Sequence, residues 1–434
     1  MRFLTIIFIF ISSVSSGQEL TFKGVDSTTY FQFNDHQYSE LKKTGKEALH
    51  QKIDFYYLRM RLGIAYYEDK NFEQALPNFE RANGMNPADT TAQEYLYYTY
   101  LFSGRTEDAN SFVSNLQLSM QEKLHYKKKT IDVVSISGGL SFTDNITSRE
   151  KSNIKGAENI YGGAIYNGRV KYANAFLQHT ILNRLKFMYG ASAFNTQAVL
   201  VVQTTDTAQS QQFDNYHYQG NFAVSYQFKK GWNLTGGFAY YQQNISGYLG
   251  QTDSTAKQLI TMITRQNSYA GCLSISKRLK FIQPIVSSII SNFSDSIQYI
   301  GEASIVYYPF GNTNFYSTSS AAYLKDGTRQ DWIFSQKFGG KIKKWLWYEV
   351  NSSYGNHSNF ITNTGFLTYN TSDQVKFVVG LNLKFYRKNL EIIPGYIYNQ
   401  REGTFIHLTS QSLLEPSNYN YSVHLFTTTI KWNF

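Results

Sequence analysis

The last nine residues, FTTTIKWNF, place Phe426, Ile430, Trp432 and Phe434 on one face of a period-2 strand and Thr427, Thr429, Lys431 and Asn433 on the other. The alternation recurs upstream. YHYQGNFAVSYQF sets Tyr218, Phe222, Val224, Tyr226 and Phe228 against His217, Gln219, Asn221, Ser225 and Gln227. LWYEVNSSY sets Leu346, Tyr348, Val350 and Tyr354 against Glu349, Asn351 and Ser353. VKFVVGLNLKFY sets Val375, Phe377, Val379, Leu381, Leu383 and Phe385 against Lys376, Asn382 and Lys384. After Lys129 this pattern runs to the end of the chain, in segments longer than an average soluble strand and close to the roughly 9 to 11 tilted residues that cross a bilayer.

The connections carry a second rhythm. Short turns fall at 183–187, 229–233, 277–281, 310–315, 341–347 and 386–390. Between them lie polar and often longer connections: DNITSREKSNIKGAEN, VVQTTDTAQSQQFDN, GYLGQTDSTAKQL, NFSDS, LKDGTRQD, NHSNFITNTGFLTYNTSD and QREGTFIHLTSQSLLEPSN. Six short turns and seven loops predict about fourteen antiparallel strands with both ends on one side, the alternation of a transmembrane barrel. An unpaired edge cannot sit in hydrocarbon, so the final strand is expected to close against the first, near IDVVSISGGLSF.

Upstream the period changes from 2 to 3.6. Residues 1–17 have the form of a secretory leader, with Arg2, an apolar run and small residues Ser15 and Gly17; no Cys follows the run as a lipoprotein signal would require. From Phe55 to Gln121, LRMRLGIAYYEDKNFEQALPNFERANGMNP places Leu62, Gly63, Tyr66, Ala75, Phe79, Ala82 and Pro87 as a tetratricopeptide repeat would. A weaker second repeat takes in Leu96, Tyr100 and Ala109, and a further helix is expected over 38–52. The segment resembles tetratricopeptide domains, whose concave faces hold partner segments. That resemblance makes a face around Tyr66, Asn71 and Tyr100 the expected site for a periplasmic or envelope protein; the alternative is a spacer or cap. The expected organisation is therefore a leader (1–17), a periplasmic helical domain (18–125), a basic linker (126–130) and an outer-membrane barrel (131–434), an α+β multidomain chain.

Composition narrows the chemistry. Aromatic residues make up 17%, equal to the charged fraction, which suits strands with one lipid-facing side. The single Cys272 excludes an internal disulfide framework. The net charge of +10 is spread along the chain, which favours acidic lipid or polysaccharide over nucleic acid. Eight scattered His residues show no metal spacing, no phosphate loop or GxSxG is present, and no cofactor is expected; His179, His357 and His407 are the residues a hydrolase reading would use. The expected lumenal charges are Arg169, Lys171, Glu302, Lys337, Glu349, Lys376, Lys384 and Glu391, either a ladder filling the barrel or a polar path for a charged or sugar-rich solute.

The ending on Ile430, Trp432 and Phe434 resembles the carboxyl-terminal signal read by the barrel-assembly machinery, with Thr429 where that signal often has Gly. Leader, helical repeats and barrel together resemble the outer-membrane exporters of cellulose and poly-N-acetylglucosamine, which carry many more repeats. The resemblance implies a non-enzymatic barrel in outer-membrane lipid whose helices recruit a partner for envelope export or assembly, polysaccharide secretion among them. A passive porin for polar solutes and a lipid or polysaccharide hydrolase are the competing readings.

Overall fold

The computed structural model describes residues 20–143, 161–203, 208–228, 231–253, 256–293, 296–362, 365–369, 371, 373–408 and 414–434. The expected leader (1–17) and the connection at 144–159 lie outside them. The chain divides into two compact units, 1–99 and 100–434.

The first unit holds α1 (Phe22–Asn34), α2 (Tyr38–His50), α3 (Tyr56–Glu68), α4 (Phe72–Met85) and most of α5 (Thr90–Phe102). The expected helix at 38–52 is α2, whereas α1 has no counterpart in the periodicity. Side chains cap the helix starts: Thr21 accepts from the Gly24 amide at 3.2 Å and Asp89 from the Ala92 amide at 2.8 Å. Helices cross at glycines. A Cβ on Gly63 would lie 2.5 Å from the Phe79 ring, and one on Gly45 2.6 Å from Leu62, so only glycine admits these contacts. Ala75, Phe79 and Ala82 are fully buried behind the crossing, and Tyr95 stacks on Phe79 at 5.1 Å. Outside this core Arg59 forks onto Asp54, with Nε–Oδ1 at 2.6 Å, and reaches Asn78 at 3.0 Å. The Arg59 bonds, helped by Arg81, hold the Asp54 carboxyl below its ordinary range despite partial burial.

The second unit begins with the end of α5, α6 (Thr106–Val113) and α7 (Leu118–Lys123). Its barrel strands are β1 (Val133–Thr143), β2 (Tyr161–Ile181), β3 (Leu185–Gln203), β4 (Ala208–Gln227), β5 (Trp232–Asp253), β6 (Ala256–Lys277), β7 (Ile282–Ser291), β8 (Gln298–Tyr307), β9 (Phe315–Asp326), β10 (Arg329–Lys343), β11 (Leu346–Tyr354), β14 (Gln374–Arg387), β15 (Leu390–Leu408) and β16 (Leu414–Asn433); the short β12 (Phe360–Thr362) and β13 (Leu367–Tyr369) form a separate hairpin. The fourteen strands form a closed antiparallel barrel. β16 seals against β1 in the register Ile136↔Ile430 and Val134↔Trp432, and Ser137 bonds Thr429 at 2.8 Å. Closure follows from the opening pattern: Ile430, Trp432 and Phe434 stand outward, about half exposed, among a band of outward Tyr, Phe and Trp.

The wall is uneven in height. β2 to β6 run 19 to 22 residues, about twice a bilayer crossing, whereas β7 to β11 run 9 to 15. GYLGQTDSTAKQL, expected as a loop, is therefore continued ladder, with pairing from Trp232↔Lys277 up to Asp253↔Ala256. Polar composition alone cannot separate a loop from a strand that has risen out of lipid.

Helix α6 is bonded to the short-turn end of the barrel. Lys186 pairs with Glu107, Arg184 reaches Asp108 at 3.2 Å, and Asn183 donates to Ser114 at 2.9 Å. Burial would raise the Glu107 carboxyl, but Lys186 and Arg184 outweigh it and hold it below the ordinary range.

Candidate functional site

The inward face of the strands encloses a cavity of about 1140 Å³. Its lining is dominated by short hydroxyls and amides, among them Ser192, Ser225, Ser276, Asn174, Gln243 and Asn399. Such side chains offer both donors and acceptors without a fixed charge. Neighbouring strands hold them in place: Asn174 donates to Ser192 at 2.7 Å and Asn233 to Ser225 at 2.8 Å.

The connection after β11 folds into this cavity as the β12–β13 hairpin and reaches the inner face of the tall strands β4 and β5. Phe360 and Ile361 are buried against Tyr241, Phe293, Leu324 and Ile333 of the inner wall. The Gly365 carbonyl accepts from Gln219 at 3.0 Å, from Tyr241 at 3.1 Å and from Asn221. A non-glycine residue would be strained there, since Gly365 has φ +89°. Both ends of the connection are clamped: Arg329 donates to the carbonyls of Asn356 and Ser358 at 2.9 and 2.8 Å, and Asp373 accepts from Asn167 at 2.8 Å and from Tyr421. By its polar composition this segment is expected to be an outer loop. The signal it left is FITNTGFLTY, in which the apolar pairs Phe360-Ile361 and Phe366-Leu367 flank a polar, glycine-containing turn that an external loop has no need of.

Of the eight expected lumenal charges, Glu302, Lys337, Glu349, Lys384 and Glu391 lie on inward strand positions. Glu349 bonds Lys384 at 2.7 Å and accepts from Tyr316, Glu391 accepts from Lys431 at 3.1 Å and Asn433 at 2.7 Å, and Glu302 accepts from Thr362 of the hairpin at 2.9 Å. Arg169, Lys171 and Lys376 take the outward positions instead. Arg169 stacks over the outward Phe142 at 5.5 Å, and Lys171 alternates with the lumenal Val170 and Tyr172. Lys376 pairs with Glu402, whose neighbour Arg401 is the lumenal one. Bulges explain these placements. The ladder skips between Asn167 and Val170 and between Val375 and Phe377, so the strict alternation used on the sequence reverses there, and Val375, expected outward, is buried on the inner side.

The three residues expected on a partner-binding face serve their own unit. Tyr66 is 8% exposed, with Lys42 and Lys46 over its ring at 5.6 and 5.9 Å. Asn71 caps α4 by accepting from the Gln74 amide at 3.3 Å. Tyr100 packs on Phe112 at 6.2 Å under Arg105.

The histidines divide as well. His179 stacks between Phe187 and Tyr189 at 5.1 and 5.7 Å, and the side chain of His407 lies outside the described residues. His357 bonds Ser353 at 2.5 Å, the spacing of a nucleophile and its base. Yet His357 is 1% exposed and its other ring nitrogen meets the Val375 carbonyl at 2.9 Å, while Ser353 is also bonded to Ser335 and the Phe334 carbonyl. No carboxylate orients the ring in these bonds, and the hydroxyl is shared among His357, Ser335 and the Phe334 carbonyl; although both residues line the cavity, the pair ties the folded-in connection to the wall. Among the described residues no cluster of His, Cys, Asp and Glu could hold a metal ion.

No protein-family model and no curated protein matches the chain. Solved structures that resemble it are outer-membrane barrels. The TodX monoaromatic hydrocarbon channel deltaS2 mutant has 8% identity and a TM-score of 0.46 over 71% of this chain and 91% of that one. A Pseudomonas aeruginosa FadL homologue has 9% identity and a TM-score of 0.44 over 77% and 94%. A bacterial polysaccharide outer membrane secretin has 9% identity and a TM-score of 0.33 over 71% and 100%. No described helix is long and apolar enough to cross a membrane.

Proposed function

We propose that this protein is a non-enzymatic outer-membrane conduit for polar, polyhydroxylated solutes, narrowed by its folded-in hairpin. The supporting observation is the lining of the 1140 Å³ cavity, where hydroxyls and amides outnumber charges. A salt-bridged ladder would fill the bore with paired ions, and a hydrophobic-solute channel would line it with aliphatic side chains. Because α6 is bonded to the short turns, α6 belongs on the periplasmic side in this reading.

The purified full-length protein, reconstituted in a planar bilayer, should carry discrete current steps, and vesicles containing it should swell in small sugars. Absence of both, in wild type and in a variant lacking residues 356–371, would overturn the conduit reading.

Recruitment of an envelope partner by the first unit is a second reading, favoured by one observation. Phe22, Tyr30, Phe31 and Tyr57 are each at least half exposed, with Arg61 over the Tyr30 and Tyr57 rings. Exposed aromatic and arginine groups are the usual interface anchors. Photoreactive residues at Phe31 and Tyr57 should capture one envelope protein in living cells; the same yield from a residue at Glu80 would sink it.

A further inference from the structure

Below the main cavity, at the short-turn end, lies a second one of about 310 Å³, continuous with the first through Thr318, Lys337 and Glu349, which line both. Its walls are aromatic. Tyr308 and Tyr316, beyond β8 and on β9, stand with ring centres 6.4 Å apart, and Trp347 and Tyr386, on β11 and β14, stand 6.2 Å apart. Strand β10 runs between these two walls and carries Lys337.

The charges here do not cancel. Glu349 is already engaged by Lys384 at 2.7 Å and by the Tyr316 hydroxyl, whose ring lies flat on Gly339, where a Cβ would sit 2.3 Å from it. Among the described residues Lys337 makes no salt bridge or side-chain hydrogen bond and shares the field of Glu349 with Lys384, so two lysines face one carboxylate and leave one positive charge in the pocket. Arg278 lies 3.6 Å from the Tyr308 ring centre and Lys341 5.8 Å from that of Trp347, which adds to the positive potential. The other inward cations at this end are matched, Lys431 by Glu391 and Lys186 by Glu107.

We infer that this lower pocket binds a carboxylated sugar residue, a hexuronate within an oligosaccharide. Aromatic rings accept the CH faces of a pyranose, and Lys337 supplies the charge its carboxylate needs. The serine- and amide-rich lumen above meets the hydroxyls of the residues that follow. A neutral sugar would leave Lys337 unanswered, and an aromatic acid would leave the hydroxyl-lined path unused.

This inference rests on the conduit reading, and its test separates the two. Trp347 is the one tryptophan on a lumenal wall; Trp232, Trp332, Trp345 and Trp432 are large exposed residues of the outer side. A variant with those four replaced by Phe, its folding checked by the gel shift between unheated and boiled samples, reports on the pocket by fluorescence. Titration with a galacturonate trimer should change Trp347 emission saturably. Maltotriose should bind at least tenfold more weakly, as should inorganic phosphate, and Lys337→Gln should lose at least tenfold affinity for the acidic trimer alone. Calorimetry on the unsubstituted protein gives the same comparison should the four-Phe variant misfold. Equal binding of maltotriose, equal binding of phosphate, an unchanged Lys337→Gln variant, or no binding of the acidic trimer would each overturn the inference. Bilayer current measured without saccharide tests the conduit separately.

Discussion

Releasing the hairpin from the wall is the sharpest perturbation of the lumen. Ile361 is fully buried against Leu324, Ile333 and their neighbours, so Ile361→Ala should cost about 2–5 kcal/mol through lost transfer and residual cavity. Asn221→Ala removes one of three donors to the Gly365 carbonyl, worth about 1 kcal/mol. Ile361 belongs to the hairpin and Asn221 offers only its side chain, so the barrel's own ladder is untouched and the cost falls on the anchored position of the hairpin. Even a combined ~3 kcal/mol shifts the balance between anchored and released hairpin by about a hundredfold. Single-channel recordings of the double variant should show larger mean conductance and more open-state noise than the unsubstituted protein. Tyr241→Phe, which leaves two donors in place, should show a smaller change. A double variant that is folded by the gel-shift criterion and has unaltered conductance and noise would refute the claim that these contacts hold the bore narrow.

Further expectations concern the seam, the helices and pH. Deleting residues 430–434 strips the register Ile136↔Ile430 and Val134↔Trp432 from the closing pair, so the unheated sample should migrate like the boiled one; a retained fast-migrating band would count against closure through this seam. Gly63→Val forces a Cβ to within 2.5 Å of the Phe79 ring and should lower the thermal midpoint of the helical signal by several degrees, at a cost of about 1–3 kcal/mol, with heat modification of the barrel unchanged. Asp54 has a lowered folded pKa, so the stability it contributes is present above the unfolded carboxylate value of about 4 and is lost as pH falls through the folded value. Hydrogen exchange in α3 should therefore quicken below pH ~4 in the unsubstituted protein, and Asp54→Asn should flatten that acid dependence.

Much of this architecture was legible in order along the chain. The number of barrel strands, the six short turns and the seal between IDVVSISGGLSF and TTTIKWNF all follow from period-2 alternation, because a membrane admits only strands whose outer face is apolar and whose edges are paired. Gly63 and Ala75 likewise announced a close helix crossing, since packing there depends on residue size alone. Which charges face the lumen was decided by tertiary structure. Two bulges reverse the alternation, turning Arg169, Lys171 and Lys376 outward and Val375 inward, and a bulge leaves no fixed mark in composition. Nor could the sequence by itself distinguish an outer loop from a hairpin folded into the bore. The Gly365 carbonyl draws its donors from Gln219, Asn221 and Tyr241, more than a hundred residues away, and only barrel closure brings them within reach. The lower pocket has the same origin: Tyr308, Lys337, Trp347 and Tyr386 are unremarkable strand residues until five neighbouring strands set them around one space.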